Sequence, residues 1–402
     1  MLLINYLLNF FVLFLKLINT VHFTIFIISI TLIINILVYF LVDRKYIKNA
    51  KKFWGSDHSK MEDLNFFPLV NIIVPAWKEG ENFKKCLLSI TKLSYPNLKV
   101  IVNAGGSEET INIANSFKNY KNFIILRQKE GGGKIKAIND ALYQVSEGIV
   151  NFIDADFYLS DENLINLLYP IVNRNQDVVI SSSKPYKSKI NKDLVKYIYI
   201  SRYSKKKNRF SRHNKLISSN TCLKYEVIKS VGKFPEKQLL GDGRVIGTSI
   251  INKGYKILKI YHPIEVFDYP EKIRVFISQN VRWIENSLLF RYRNNKIKFI
   301  KAIFSLFMGI YILIFPFFIL LNFGLFMIGL CLLLNFYLKT IRYYTFYIKT
   351  KEQKEFQKTH FIFFIKIFYY IYIEIIIKIL SFFELIFNKK KYRERKNISH
   401  NF

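Results

Sequence analysis

The hydrophobic residues of this 402-residue chain are concentrated at its two ends. Residues 2–18 and 21–42 are apolar stretches long enough for two transmembrane helices joined as a hairpin. A cleaved signal peptide is the alternative for the first stretch, although no small-residue cleavage site follows it. Residues 301–340 form a second apolar block, with residues 322–324 as a turn near its centre. The pattern therefore predicts a membrane hairpin at each end of the chain.

Short apolar runs and helical periodicity alternate in the polar segment between these blocks. The runs typical of buried strands are Val70–Val74, Leu98–Val102, Phe123–Leu126, Gly148–Ile153 and Val178–Ile180. The amphipathic stretches between them are Glu81–Leu93, Glu108–Phe117 and Lys134–Val145. Such alternation predicts an α/β fold, in which a mostly parallel, Rossmann-like sheet carries helices on both faces and binds its ligand at the carboxyl ends of the strands.

Residues 361–387 form a further apolar stretch that also carries charged residues. At roughly 100° per residue, Lys366, Glu374, Lys378 and Glu384 fall within one sector of about 120° on a helix. This polar stripe favours a helix that lies in the membrane interface. A membrane-spanning helix is the alternative, but it would export the basic tail that follows.

The net charge of +32 indicates an anionic partner, either nucleic acid or a membrane surface. The apolar ends favour the membrane, so we expect membrane lipids and no nucleic acid as partners. Arg44, Lys45 and Lys48 follow the first apolar block, and positive residues beside a membrane segment mark its cytoplasmic side. The sequence thus predicts a multi-pass protein of the cell membrane with a cytoplasmic middle domain. Its three cysteines have neither paired nor metal-binding spacing, which fits a reducing compartment.

The loops after the first four predicted strands hold the candidate chemistry. They cover residues 75–79, 103–107, 131–134 and 154–156. The aspartates at 154 and 156 would suit a divalent ion that bridges an anionic phosphate, whereas a turn that uses aspartates to accept backbone amides is the alternative. The glycine loops match neither a dinucleotide nor a P-loop signature. Lys134 nevertheless follows three glycines at a predicted helix N-terminus, where a diphosphate can approach.

Several motifs follow one another in a fixed order between residues 69 and 296. They are Val74-Pro75-Ala76 with Glu79, Gly133-Lys134 with Ala137 and Asn139, Asp154-Ala155-Asp156, Val231-Gly232-Lys233-Phe234-Pro235, Gly241-Asp242, and Gln279-Asn280-Val281-Arg282-Trp283. In these motifs the chain resembles the membrane-embedded family 2 glycosyltransferases, whose relatives include cellulose, chitin and hyaluronan synthases. The flanking apolar segments are similar in placement to those of the same group.

The resemblance implies a GT-A-type catalytic domain that transfers a sugar from a nucleoside diphosphate with inversion at the anomeric carbon. The residues it implies for nucleotide-sugar binding are Pro75, Ala76, Glu79, Lys134 and Asp154. It also implies Asp156 as a ligand of Mg²⁺ or Mn²⁺, and Asp242 as the general base that deprotonates the acceptor hydroxyl. The residues implied for acceptor and diphosphate binding are Gln279, Arg282 and Trp283.

Two of these segments also have a purely structural interpretation. Asp242 suits the N-cap of a helix over residues 243–253, and residues 271–292 suit an amphipathic interfacial helix. The chain also departs from the family at two places. Gly241 stands where the family usually has an acid before the base, and residues 104–107 lack the aspartate that usually reads the nucleobase.

The motifs and apolar blocks together define the expected domains. These are transmembrane helices at 1–43, a basic linker at 44–68, a GT-A domain at 69–269, an amphipathic interfacial helix at 270–296, a transmembrane hairpin at 297–341, a cytoplasmic loop at 342–360, an interfacial or transmembrane helix at 361–387 and a basic tail at 388–402.

Three functions fit the sequence. The first is a membrane-bound inverting glycosyltransferase that extends a glycan, in polysaccharide synthesis. The second is a transferase that adds a single sugar to a lipid acceptor such as a polyprenyl phosphate. The third, motivated by Gly241 and the altered base-reading loop, is an inactive scaffold that binds glycan.

Overall fold

The computed structural model describes residues 2–45, 47–48, 60–203, 220–236, 241–260, 262–348 and 359–387. It divides into two compact units. The helical unit consists of Met1–Lys52, Lys196–Ser204 and Lys272–Asn388, and the sheet unit of Phe53–Val195, Lys205–Glu271 and Lys389–Phe402. Much of the predicted linker 44–68, much of the loop 342–360 and the whole tail 388–402 lie outside the described residues.

The elements of both units follow in chain order. The α-helices are α1 Leu2–Ile18, α2 Val21–Val38, α3 Glu81–Thr91, α4 Glu108–Asn115, α5 Gly133–Leu142, α6 Asp161–Val172, α7 Asp193–Tyr203, α8 Tyr225–Val231, α9 Asp242–Asn252, α10 Ile273–Asn294, α11 Lys296–Ile314, α12 Phe323–Ile348 and α13 Phe361–Phe387. The strands are β1 Val70–Trp77, β2 Leu98–Gly105, β3 Phe123–Arg127, β4 Ile149–Phe152, β5 Phe157–Tyr158, β6 Val178–Ile180, β7 Ser183–Pro185, β8 Thr221–Lys224, β9 Ile257–Lys259 and β10 Ile264–Val266.

The described strands of the sheet unit form a seven-stranded sheet in the order β3-β2-β1-β4-β8-β6-β9, and a smaller sheet in the order β5-β10-β7. Strands β3, β2, β1 and β4 run parallel to one another, and β6 runs parallel to β9. Only β8 is antiparallel to both of its neighbours. The predicted α/β class with a mostly parallel sheet is confirmed.

Two details of the sheet differ from the sequence prediction. Strand β1 continues through Pro75 to Trp77, because β2 pairs beside it residue for residue as far as Gly105. Strand β8 separates β4 from β6, and the sequence did not reveal it because four residues carry too little periodicity.

The core of the sheet unit lies between the large sheet and the helices that follow its strands. Ile73 of β1 and Phe152 of β4 are fully buried, and Ile138 of α5 and Ile246 of α9 pack in the same cluster. The ring of Phe234 meets that of Phe152 edge to face, with the centroids 6.3 Å apart. The parallel strands are therefore mostly apolar, with one buried asparagine in each of β1, β2 and β4.

Three described helices are long and apolar enough to cross a membrane. They are Val21–Asp43, Lys296–Ile319 and Phe323–Thr345. The first of them includes a π-turn, Tyr39–Asp43, and the second ends in a 3₁₀ turn, Phe315–Ile319. The last two match the predicted hairpin, in which the turn precedes Phe323.

Helix α13 occupies the range predicted for the third apolar segment, and its outer face is apolar. The exposed apolar positions along it are Phe361, Ile362, Ile365, Tyr369, Ile376, Leu380, Phe383, Ile386 and Phe387. Glu374, in contrast, accepts a hydrogen bond from Tyr197 of α7 within the helical unit. Its polar stripe is therefore in part covered by protein, and its assignment as an interfacial helix stays a prediction.

Candidate active site

The candidate site lies at the carboxyl ends of β1, β2 and β4. Trp77 at the end of β1 lies beside Gly105 at the end of β2, and the Lys78 amide donates to the Gly105 carbonyl at 3.0 Å. Strand β4 stops earlier, because Phe152 pairs with Ile73 in the middle of β1. The loop after β4 thus begins alongside β1 and carries the two aspartates, as expected for a parallel sheet.

Lys134 and Asp154 form an ion pair between Nζ and Oδ1. Lys134 lies in the first turn of α5, and Asp154 lies in the loop after β4. Burial lowers the pKa of Lys134, but the carboxylates of Asp154, Asp242 and Asp156 outweigh burial and raise the pKa above its usual value. The lysine is therefore positively charged, and it lies near three acids that come from two distant parts of the sequence.

Asp156 is the acid most affected by its surroundings. Burial raises its pKa to about 8, and the charges of Asp154, Asp268 and Glu79 act in the same direction. A bound cation stabilises the ionised form of a carboxylate most when that carboxylate is partly buried and close to other carboxylates. The two aspartates of the motif are thus differently placed, since Asp154 has an ammonium partner and Asp156 faces other acids.

Asp268 is a member of this cluster that sequence reasoning missed. Strand β10 pairs with β5 so that Val266 lies opposite Phe157, and the Phe267 amide donates to the Asp156 carbonyl at 2.8 Å. Asp268 follows directly and raises the pKa of Asp156 and of Glu79. The sequence offered no signal for it, because β10 has only three residues and its partner is about a hundred residues away.

Glu79 lies in the loop after β1. The Thr110 hydroxyl accepts from the Glu79 amide and donates to the Glu79 carbonyl, both at 2.7 Å, so helix α4 holds the loop. Burial raises the pKa of Glu79, followed by the charges of Asp268 and Asp154, while Lys134 lowers it. The Glu79 side chain is therefore close to the same acids.

Pro75 and Ala76 lie within strand β1. Ala76 is 1% exposed, and Pro75 lies opposite Asn103 in the β1–β2 register. The Ala76 side chain is buried, so any contribution from Ala76 comes from its backbone, whereas Pro75 is partly exposed. Pro75 carries no N–H and thus limits pairing at the strand end.

Trp77, the last residue of β1, packs on the loop after β2. Gly106 has a φ of +86°, and a Cβ there would lie 2.7 Å from the indole carbons Cδ2 and Cε2 of Trp77. A Cβ on Gly105 would lie 2.7 Å from the Gln128 carbonyl oxygen. The two glycines therefore allow the indole to rest directly on the loop backbone, a role that the sequence pattern did not indicate.

Asp242 lies at the start of α9. The helix begins at Asp242 itself with Gly241 before it, so the predicted N-cap role is wrong and the aspartate is the first helical residue. A carboxylate in the first turn interacts favourably with the helix dipole. Asp242 is close enough to Lys134 to raise the pKa of that lysine. The predicted base thus lies near the ion pair.

Asn139 links the motif on α5 to the motif over residues 231–235. It is 3% exposed, its Nδ2 donates to the Phe234 carbonyl at 2.8 Å, and its Oδ1 accepts from the Phe234 amide at 3.0 Å. One amide side chain thus satisfies both backbone groups of a buried residue. The motif over 231–235 is held to α5, the helix that carries Lys134.

Gln279, Arg282 and Trp283 lie on α10, in the helical unit. Their spacing places them on neighbouring turns of one face. Arg282 is exposed and Trp283 is 43% exposed, whereas the Gln279 Oε1 atom is buried without a hydrogen-bond partner among the described residues. Phe276 and Val281, two apolar residues of the same helix, are buried within the helical unit.

The sequence of residues 71–228 matches the family described as Glycosyl transferase family 2. The chain is 28% identical over 178 residues to glycosyltransferase AglE of Haloferax volcanii, which covers 43% of this chain and 58% of that protein. It is 28% identical over 135 residues to a poly-beta-1,6-N-acetyl-D-glucosamine synthase of Staphylococcus epidermidis, which covers 33% of this chain and 31% of the synthase. The match thus spans less than two thirds of either relative.

One solved structure aligns along most of the chain. It is the mannosyltransferase PcManGT from Pyrobaculum calidifontis in complex with GDP-Man and Mn²⁺. The alignment has a TM-score of 0.49 and 16% sequence identity, and covers 90% of this chain and 99% of that one.

Proposed function

Because residues 71–228 match the family described as Glycosyl transferase family 2, we propose that the protein is a membrane-bound inverting glycosyltransferase. Its donor is a nucleoside diphosphate sugar, and its acceptor is a growing glycan. The observation that carries the proposal is the grouping of Lys134, Asp154, Asp156 and Asp242 at one edge of the sheet. One ammonium group among three carboxylates fits a reaction in which a diphosphate departs and a hydroxyl loses its proton.

A divalent cation fits the acids around Asp156. Burial is the largest cause of its raised pKa, and the neighbouring carboxylates of Asp154, Asp268 and Glu79 add to it; a bound cation would offset both effects. Within the described residues, no three His, Cys, Asp or Glu side chains are close enough to form a complete metal site. Mg²⁺ in enzymes commonly takes one or two carboxylates and completes its shell with phosphate and water. We therefore infer that Asp156 and Asp268 would hold Mg²⁺ or Mn²⁺, which when bound neutralises charge on the diphosphate.

Lys134 contributes to donor binding. Its ammonium group lies at the N-terminal turn of α5, where backbone N–H groups also favour an anion. We infer that it donates to the diphosphate while retaining its contact with Asp154. Asp154 in turn keeps the lysine oriented toward the site, and Glu79 is placed to accept from a hydroxyl of the sugar or ribose.

Asp242 serves as the general base. As the acceptor hydroxyl oxygen attacks the anomeric carbon, the carboxylate takes its proton, and the bond from that carbon to the diphosphate oxygen breaks. Attack from the side opposite the leaving group inverts the configuration. The glycine at position 241 is not required by close packing, because a Cβ there would meet no atom within 4 Å. Its presence before Asp242 is therefore compatible with the role of Asp242 as the base.

Trp77 replaces the missing aspartate in the proposed nucleobase site. Its indole is partly exposed at the carboxyl end of β1 and rests on Gly105 and Gly106. An aromatic ring offers a stacking surface to any base, whereas a carboxylate selects by hydrogen bonding. We therefore expect weaker discrimination among nucleoside diphosphates than an aspartate in this loop would give.

The acceptor contacts are proposed for α10. An arginine pairs bidentately with phosphate, and an indole face packs on a sugar ring, so Arg282 and Trp283 suit a diphosphate or a glycan. The buried, unpartnered Oε1 of Gln279 would accept from an acceptor hydroxyl. We propose that the enzyme is a multi-pass protein of the cell membrane with its catalytic domain on the cytoplasmic side. Three described helices of membrane-spanning length and the basic residues after the first of them support this proposal.

The proposal is tested by incubating membranes that contain the protein with a panel of radiolabelled nucleotide sugars and sizing the product. We expect transfer that stops on chelation of divalent cations and returns with Mg²⁺ or Mn²⁺. A long polymer supports glycan extension. A single sugar that extracts into organic solvent supports transfer to a lipid such as a polyprenyl phosphate. Absence of transfer with every donor, in membranes where the protein is folded, would support the inactive scaffold.

A further inference from the structure

Helices α2 and α12 lie side by side and run parallel, although some 300 residues separate them. Asn35 Nδ2 donates to Asn335 Oδ1 at 2.9 Å. One turn earlier on each helix, Thr31 and Cys331 are hydrogen-bonded through their side chains. The two residue numbers rise together at a constant offset, which is the pattern of two parallel helices in register.

The same pair of helices is joined by a buried ion pair near their C-terminal ends. Arg342 donates from Nε to Asp43 Oδ2 at 2.8 Å and from Nη1 to Asn35 Oδ1 at 2.6 Å. The side chains of Arg342 and Asp43 are 17% and 13% exposed. Arg342 thus bonds two residues of α2 and its π-turn at once, and all lie within the membrane-length segments.

The π-turn at Tyr39–Asp43 makes this contact possible. In an uninterrupted α-helix, the eight residues from Asn35 to Asp43 would turn through roughly 800° and leave the two side chains about 80° apart. A π-turn takes one extra residue, so Asp43 lies where the seventh residue would, roughly 20° from Asn35. The distortion therefore aligns both side chains on the face that meets Arg342.

The opposite ends of the same helices are joined as well. The Gly324 amide donates to Asn19 Oδ1 at 2.9 Å, which links the turn between α1 and α2 to the start of α12. A Cβ on Gly324 would lie 2.2 Å from the Ile18 carbonyl oxygen, so the two backbones are in direct contact. The two hairpin turns therefore lie at the same level.

We propose that these polar contacts are an assembly clamp, which holds the N-terminal hairpin of α1 and α2 in a fixed position against α12. The N-terminal hairpin is then an integral part of the helical bundle and not only a membrane anchor. Polar side chains at membrane depth are stable only with a partner, and here each helix supplies the partner of the other. The clamp fixes the topology too, because both hairpin turns must emerge on the same membrane face. The clamp does not depend on catalysis, but the topology rests on the membrane location proposed above.

The clamp is tested with a double-mutant cycle on the full chain in detergent, read as the melting temperature. We expect Asp43→Ala and Arg342→Ala each to lower the melting temperature by at least about 3 °C. The double variant should lower it no further than the worse single variant. The charge exchange, Asp43→Arg together with Arg342→Asp, should recover at least half of the loss. Lys339→Ala, one turn earlier on α12, should combine additively with Asp43→Ala. Asp43→Asn replaces alanine if that variant fails to accumulate. Additive effects of Asp43 and Arg342 would overturn the clamp.

The topology is tested without any activity assay. His22→Cys lies in the first turn of α2, beside one hairpin turn, and Leu320→Cys lies in the other hairpin turn. Both are introduced in a chain whose native cysteines are replaced, and intact cells are treated with a membrane-impermeant maleimide. We expect both positions to be labelled from outside. Labelling of one position from outside and of the other only after lysis would overturn the shared level of the turns. If neither position is labelled in intact cells and both are labelled after lysis, the proposed membrane orientation is wrong. The clamp itself is then decided by the double-mutant cycle alone.

Discussion

Lys134 at the start of helix α5 pairs with Asp154 after strand β4, whereas Asp156 has no ion pair among the residues that the structure describes. The two aspartates are one residue apart in sequence, yet their surroundings differ. Asp154 is paired with an ammonium group, and Asp156 lies near other acids. This difference is the basis for the separate roles proposed for them above.

The first prediction concerns Asp156. Asp156→Asn removes the charge proposed to hold the cation, so sugar transfer in membranes should fall by about 100-fold or more. Its melting temperature should not fall, because the amide relieves repulsion from neighbouring acids. Asp140→Asn, on the exposed side of α5 beside Lys136, is the matched control and should keep its activity. Full activity in Asp156→Asn would refute the role assigned to this residue.

The second prediction separates the base from donor binding. Asp242→Asn should lower the transfer rate by about 10² to 10⁴-fold, because the amide cannot take the proton of the acceptor. Donor affinity, measured by calorimetry, should change little. Gly241→Ala is the neighbouring control, since its added Cβ meets no atom within 4 Å. Loss of donor binding in Asp242→Asn would instead assign the residue to the nucleotide site.

The third prediction concerns the lysine of the ion pair. Lys134→Met should raise the KM for the donor by about tenfold or more, because a charged hydrogen bond to the diphosphate is lost and Asp154 is left without its partner. Lys136→Met, two residues along the same helix, removes the same charge from a position that pairs with Asp140 and should leave the KM unchanged. Equal effects of the two substitutions would indicate general electrostatics in place of a specific contact.

The fourth prediction tests the indole against the glycine loop. Gly106→Ala imposes a φ of +86° on an L-residue and places its Cβ against Trp77, so the free energy of unfolding should fall by about 1–3 kcal/mol. Adding Trp77→Ala should restore part of that stability while weakening donor binding. If Trp77→Ala alone leaves donor affinity unchanged, the indole has no part in the nucleobase site.

The fifth prediction assigns a structural role to a motif residue. Asn139→Ala leaves the amide and carbonyl of the buried Phe234 unpaired, which should lower the free energy of unfolding by about 2–4 kcal/mol. Asn115→Ala at the exposed end of α4 is the control and should change stability by less than about 0.5 kcal/mol. Loss of activity in Asn139→Ala at full stability would point to a direct contact with substrate instead.

The sequence predicted those parts of the fold in which local pattern and tertiary structure agree. Strands β1 to β4 are apolar because helices cover both faces of the sheet, so their runs were visible. Strand β8 and strand β10 have four and three residues, and pairing with distant strands decides their existence. The same reason hid Asp268, which reaches the site only through β10.

The site residues divide along the same line. Lys134, Asp154, Asp156 and Asp242 belong to motifs and follow strand or loop signals, so the sequence could single them out. Trp77 could not be found in this way, because its contact depends on the absence of side chains at two glycines of a neighbouring strand.

The pairing of α2 with α12 has a consequence for the order of events during synthesis. Asp43 and Arg342 are 299 residues apart. At about 5–20 residues per second, a ribosome needs about 15–60 s to make the chain between them. On the membrane location proposed above, the first hairpin would lie in the bilayer during that interval, before Asn335 and Arg342 exist to meet Asn35 and Asp43. The contacts between α2 and α12 would therefore form late, after the whole sheet unit has been translated.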